Sequence, residues 1–126
     1  MLLKALWIFG ALFFTYAVVM QYNDPDPLVW MSLYGIVAIA NVAALAGRLS
    51  PRWIAVATLP HLVYGLMLSP YLLRTSLHAF QTMGMKNDLE ELVRESWGTV
   101  VCVLWMTGLF FYARHLAVRK SSEAIA

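Results

Sequence analysis

Charge is scarce in this sequence. Lys, Arg, Asp and Glu make up 13% of its 126 residues, against about a quarter in a soluble domain. A water-soluble globule is therefore a poor fit. The 61% hydrophobic content excludes a disordered chain, because disordered chains are rich in charge and poor in apolar residues. Cysteine is nearly absent. The single Cys102 rules out a disulfide framework and any Cys-x-x-Cys pair for zinc or redox work. A net charge of +2, scattered along the chain, is too small for a nucleic-acid surface, so no nucleic-acid partner is expected. No internal repeat or low-complexity tract is visible.

Four long apolar spans are present instead. Ala5–Tyr22, Leu28–Gly47, Trp53–Leu73 and Ser96–Ala113 contain no Asp, Glu, Lys or Arg and run for 18 to 21 residues. A membrane-spanning helix needs about 20. The spans lack the period-two alternation of barrel strands and are too long for them. The expected fold is all-α, an integral membrane four-helix bundle. It forms one domain over residues 1–118, with helices near 5–22, 28–47, 53–73 and 88–113, and a cytoplasmic tail at 119–126. Lys4 ahead of the first span is reminiscent of a signal peptide. That run exceeds a usual signal core and has no Ala-x-Ala site in Tyr16–Gln21, so it is expected to stay as a membrane helix.

Four spans put both termini and the Arg48–Arg52 joint on one side. That side carries Lys4, Arg48, Arg52, Arg114, Arg119 and Lys120 with Glu123, a net +5. The other carries Arg74, Lys86 and Arg94 with Asp24, Asp26, Asp88, Glu90, Glu91 and Glu95, a net −3. Basic short loops stay in the cytoplasm. Both termini are therefore expected there, in the cell (inner or plasma) membrane. Trp7, Trp53 and Tyr112 near inner ends, and Tyr22, Trp30, Tyr71 and Trp97 near outer ends, fit interfacial aromatic belts.

The polar residues that could carry chemistry lie mostly on the acidic side. Asn23-Asp24-Pro25-Asp26-Pro27 is the densest cluster. Asn23 or Asp24 suits a turn, and Asp26 suits an N-cap with Pro27 at the first helical position. A stiff loop with two carboxylates also suits a hard cation such as calcium, although capping alone explains every residue type and no metal site is assigned. Asn87 with Glu90 reads as a capping box. It opens a short amphipathic exoplasmic helix that runs into the fourth span and puts Glu91, Arg94, Glu95, Gly98 and Cys102 on one face. Arg94 is then in reach of Asp24 or Asp26 if the first and fourth helices are neighbours, and Gly98 removes a side chain that would hold the loop away. Within the membrane, His61 follows Pro60 and lies at the depth of Asn41. An ionisable group there is a functional candidate. It is equally a neutral histidine bonded to Asn41, Tyr16 or a carbonyl freed by Pro60. His61 and Cys102 are too few ligands for a metal. Haem ligation with Met106 is conceivable, but methionines are ordinary apolar filling, and no cofactor is assigned. His78 and His115 read as solvated.

The run Gln21-Tyr-Asn23-Asp24-Pro25-Asp26, then Trp30 and Tyr34, resembles the signature of the transmembrane protein 220 family. His61 in the third helix, Glu91-x-x-Arg94-Glu95-x-x-Gly98 at the fourth, and a later Trp105 fit the same pattern. The resemblance implies a four-helix integral membrane protein and no particular reaction. Two functional classes remain. One is a binding or accessory protein whose exoplasmic site, built from Asn23, Asp24, Asp26, Glu91, Arg94 and Glu95 with His61 below, holds a cation, a lipid head group or a partner subunit. The other is a small membrane enzyme using these carboxylates or His61 as acid or base. No serine, cysteine or multi-histidine constellation supports the enzyme.

The charge split generates a topology test. A cysteine introduced as Asp88→Cys should be labelled by a membrane-impermeant thiol reagent from outside intact cells. Labelling only from the cytoplasmic side would invert the orientation.

Overall fold

A computed structural model describes residues 1–81 and 87–125. Lys86, counted above on the acidic side, lies outside the described residues, as does Ala126 of the expected tail. The chain forms α1 (Leu2–Met20), a 3-10 turn (Gln21–Asn23), α2 (Pro27–Leu45), α3 (Pro51–Leu72), a second 3-10 turn (Leu77–Phe80) and α4 (Asp88–Ile125). All four helices are long and apolar enough to cross a membrane, and no strand occurs among the described residues. Large apolar side chains such as Phe9, Leu12, Leu66, Leu104 and Phe111 face outward. Water would disfavour that surface, and lipid does not.

The ends of α2 follow from its sequence. Pro27 occupies the first turn, where its missing N–H costs nothing. The expected side-chain cap by Asp26 does not form. The Asp26 side chain stays exposed, and its carbonyl receives the Val29 and Trp30 amides at 3.1 and 3.4 Å. At the other end Gly47 adopts φ +66°. Its amide reaches Ala44 O at 3.1 Å, and the Arg48 amide reaches Ala43 O at 2.9 Å. This is a Schellman close, which favours glycine at the left-handed position.

Helix α3 contains Pro60 and Pro70. Pro70 has no N–H for the Leu66 carbonyl, and the Ser69 hydroxyl donates to that carbonyl instead at 2.8 Å. Helix α4 is the longest element. At about 1.5 Å per residue its 38 residues span about 57 Å, well beyond a hydrocarbon core of about 30 Å. Its charged first turns, through Glu95, precede the apolar span that begins at Ser96. It also continues past the expected end at 113, as far as Ile125. No Gly or Pro follows Gly108 to stop it, and Arg119 pairs with Glu123 one turn on at 3.6 Å.

Two hairpins make the bundle. Helix α1 packs on α2, α3 packs on α4, and the hairpins join chiefly through α2 against α4. The tightest glycine site lies inside. A Cβ at Gly10 of α1 would overlap the Asn41 side chain and the Trp105 ring. A Cβ at Gly108 meets nothing within 4 Å. Gly10→Ala should therefore lower stability by about 1–3 kcal/mol through overpacking. Gly108→Ala should be neutral or stabilising by helix propensity. Thermal melting in one detergent compares the two, and equal melting temperatures would refute the packing assignment.

Candidate functional site

The turn between α1 and α2 is held by its own residues. Asp24 Oδ1 accepts the Asp26 amide at 3.2 Å, and prolines at 25 and 27 restrict the backbone on either side. Asn23 and Asp26 stay exposed, while Asp24 is half-buried. Across from this turn, α4 begins as the capping pattern predicts. Asn87 Oδ1 accepts the Glu90 amide at 2.9 Å. The reciprocal half of the box is replaced. The Glu90 carboxylate contacts His78 Nδ1 at 3.0 Å, so His78 is a partner of α4, not the merely solvated residue its loop position suggests.

Glu91 and Glu95 lie one turn apart on the face that meets Asp24. One carboxylate oxygen from each of the three falls within 4.8 Å of the other two. They come from two separate elements, the α1–α2 turn and the start of α4. Glu95 also accepts a hydrogen bond from the Trp30 indole N–H of α2. One turn further into the bundle the Tyr34 hydroxyl lies against Gly98, where any Cβ would overlap it. Gly98 thus makes room for a tyrosine of α2, not for the loop backbone the sequence suggests. The backbone of α2 approaches α4, while α1 meets α4 through side chains, with Trp7, Phe9 and Phe14 against Trp105.

Three converging carboxylates repel one another, and burial raises the cost of charge. The Glu95 carboxyl is pushed up to about 7, first by burial and then by the charges of Glu91 and Asp24, with the Trp30 hydrogen bond pulling the other way. Glu91 is raised in the same direction by burial, then by Asp24 and Asp88, while the Arg94 guanidinium lowers it. Arg94 thereby takes part in the field of the cap.

His61 does not reach this cap. It is fully buried, as an ionisable group among membrane helices should be. Its partners differ from those expected. Nδ1 lies 3.1 Å from Ala57 O in its own helix, and Nε2 lies 3.0 Å from Leu33 O in α2. A neutral ring carries one N–H, so the tautomer decides which contact is the hydrogen bond. Asn41 is engaged elsewhere: its Nδ2 donates to Val37 O at 2.8 Å, and its Oδ1 accepts from Trp105 Nε1 at 3.0 Å. Tyr16 is exposed on the outer surface of α1. The sequence reading missed Trp30 and Trp105 as donors. The available signal was that each indole N–H needs an acceptor once buried.

Four membrane-length helices with a polar cap at one end define a small multi-span membrane protein. The chain belongs to transmembrane family 220: residues 13–111 match the family described as "Transmembrane family 220, helix". The matched stretch contains the Asn23–Pro27 turn, Trp30, Tyr34, His61, the Glu91–Gly98 segment and Trp105. Searches of curated proteins and of solved structures return no match.

The raised Glu95 carboxyl gives a pH test. Its folded value of about 7 exceeds the ordinary 4.5, so between those values the folded state holds a proton that the unfolded state releases. The associated stability is complete below about pH 4.5 and is lost as pH rises toward 7. Melting temperature in detergent should fall over that window. Glu95→Gln keeps the acceptor for Trp30 and should flatten the profile. An unchanged slope in that variant would show that Glu95 is not the titrating group.

Proposed function

We propose that this chain is a membrane binding or accessory protein whose working site is the polar cap, and that the cap binds a hard divalent cation. The reading rests on one observation: carboxylate oxygens of Asp24, Glu91 and Glu95 lie within 4.8 Å of one another. A dication relieves their mutual repulsion, and hard cations choose oxygen ligands. The proton that Glu95 holds up to about pH 7 occupies the same charge deficit and competes with the metal. Charge distribution supports an exoplasmic cap with both termini in the cytoplasm, and with it residence in the cell membrane. On that side calcium is abundant, and affinities of about 0.1–1 mM are typical of extracellular calcium modules.

An alternative is a small membrane enzyme in which Glu95 or His61 moves a proton. The observation favouring it is the Glu95 value near 7, close to what acid–base work requires.

Calcium chloride titrated into chelator-treated, detergent-purified protein tests the cation reading. One ion should bind per chain with millimolar or tighter affinity, more strongly at pH 8 than at pH 6, and should raise the melting temperature. At 100 times the dissociation constant the expected gain is about 2.7 kcal/mol. Asp24→Asn and Glu91→Gln should each weaken binding about tenfold or more. Absence of heat and of any melting shift at 10 mM-scale calcium, roughly tenfold above the weak end of that affinity range, would remove the cation reading.

A further inference from the structure

The opposite end of the bundle carries a second polar feature. An open cleft of about 640 Å³ lies between the start of α3 and the last membrane turns of α4. Arg52 and Arg114 line it, with Ser50 beside them and Ala55, Phe110 and Val118 forming apolar wall. Both guanidinium groups are exposed, and among the described residues neither has an ion-pair or hydrogen-bond partner. The one acid on this side, Glu123, is taken by Arg119. Two cations therefore converge on one cleft without a counter-charge.

The backbone adds to this. Helix α3 starts with Pro51, and the Ser50 side chain makes no cap bond. The first amide to find a helical carbonyl is that of Ile54, which reaches Ser50 O at 3.0 Å. The amides of Arg52 and Trp53 are left for an outside acceptor, at the positive end of a 22-residue helix. Arginine forks, free amides and a hydroxyl together form a phosphate receptor. Its depth decides the source of the phosphate. Arg52 and Arg114 each sit within two residues of the end of an apolar span, where head groups lie, and the wall below them is apolar.

We infer that this cleft is a binding site for an anionic glycerophospholipid. The phosphate sits between Arg52 and Arg114 at the start of α3, and an acyl chain follows Ala55 and Phe110 toward the membrane interior. Basic pockets between membrane helices suit such head groups. The retention of basic residues at this end explains that cations are present; it does not explain why two of them share one unneutralised cleft.

Native mass spectrometry of the full chain released from detergent decides the matter. The probes are phosphatidylglycerol and phosphatidylcholine with identical acyl chains, and sn-glycerol 3-phosphate as a chain-free competitor. Phosphatidylglycerol should form a one-to-one adduct favoured at least fivefold over phosphatidylcholine. Arg52→Gln and Arg114→Gln should each reduce that adduct at least fivefold. Arg48→Gln removes the same charge outside the cleft and should change it less than twofold. Glycerol phosphate at equal concentration should not displace the lipid. Either cleft variant alone suffices if the other fails to fold. Equal adducts of the two lipids, or an equal loss in the Arg48 variant, would reduce the feature to diffuse surface charge. Displacement by glycerol phosphate would assign the cleft to a soluble phosphate. Each of these outcomes overturns the proposal.

Discussion

Hydrocarbon offers no hydrogen bonds, so each polar atom buried between these helices must be satisfied from within the protein. That constraint organises the interior. Asn41 uses both ends of its amide, donating to Val37 O and accepting from Trp105. In doing so it ties α2 to α4. His61 reaches from α3 to the Leu33 carbonyl of α2. Thr58, Ser69, Ser96 and Thr99 return their hydroxyls to carbonyls of their own helices. The Trp7 indole N–H is the exception among the described residues. It is buried without a partner, its ring packed on Trp105 and Tyr112.

The cross-helix bonds matter because the hairpins have little else polar to hold them together. Between lipid-exposed helices there is no strong hydrophobic drive, since the lipid is as apolar as the side chains. Close packing and the few polar contacts take its place. Gly10 and Gly98 remove side chains where Asn41, Trp105 and Tyr34 must enter. A run of ring contacts, Trp7 to Trp105 to Phe14 to Tyr34 to Trp30, lines the α1, α2 and α4 junction. Trp30, Tyr34 and Trp105 of the family stretch thus form part of this junction, and Gly98 borders it.

Much of this was legible in the sequence. Span length and absent charge give the four helices, and Gly47 and Pro27 mark the ends of α2 to within two residues. Asn87 followed by Glu90 places the start of α4. The convergence of Asp24 with Glu91 and Glu95 was legible as one combined exoplasmic site, on the condition that the first and fourth helices are neighbours. Their meeting depends on α2 packing against α4, and helix order along the chain does not dictate which pairs touch. The His61 partner was missed for a related reason. A backbone carbonyl of α2 leaves no mark in the identity of residue 33, whereas Asn41 and Tyr16 are conspicuous. The end of α4 was missed because polarity reads as a tail, although Arg119 and Glu123 at i and i+4 are compatible with helix as well.

The acidic cap and the internal junction are mechanically one unit. Glu95 holds the Trp30 indole, Trp30 rests on Tyr34 and Tyr64, and Tyr34 fills the space left by Gly98. Neutralising the three carboxylates, by proton or by dication, removes a repulsion between the α1–α2 turn and the start of α4. Those are the two hairpins that meet through α2 and α4. Whatever binds the cap therefore stabilises the closed arrangement of the hairpins relative to any looser one, by the difference in its affinity for the two. The same linkage runs in reverse, so a change that loosens the Asn41–Trp105 contact in the membrane interior would weaken the binding proposed for the cap without touching it.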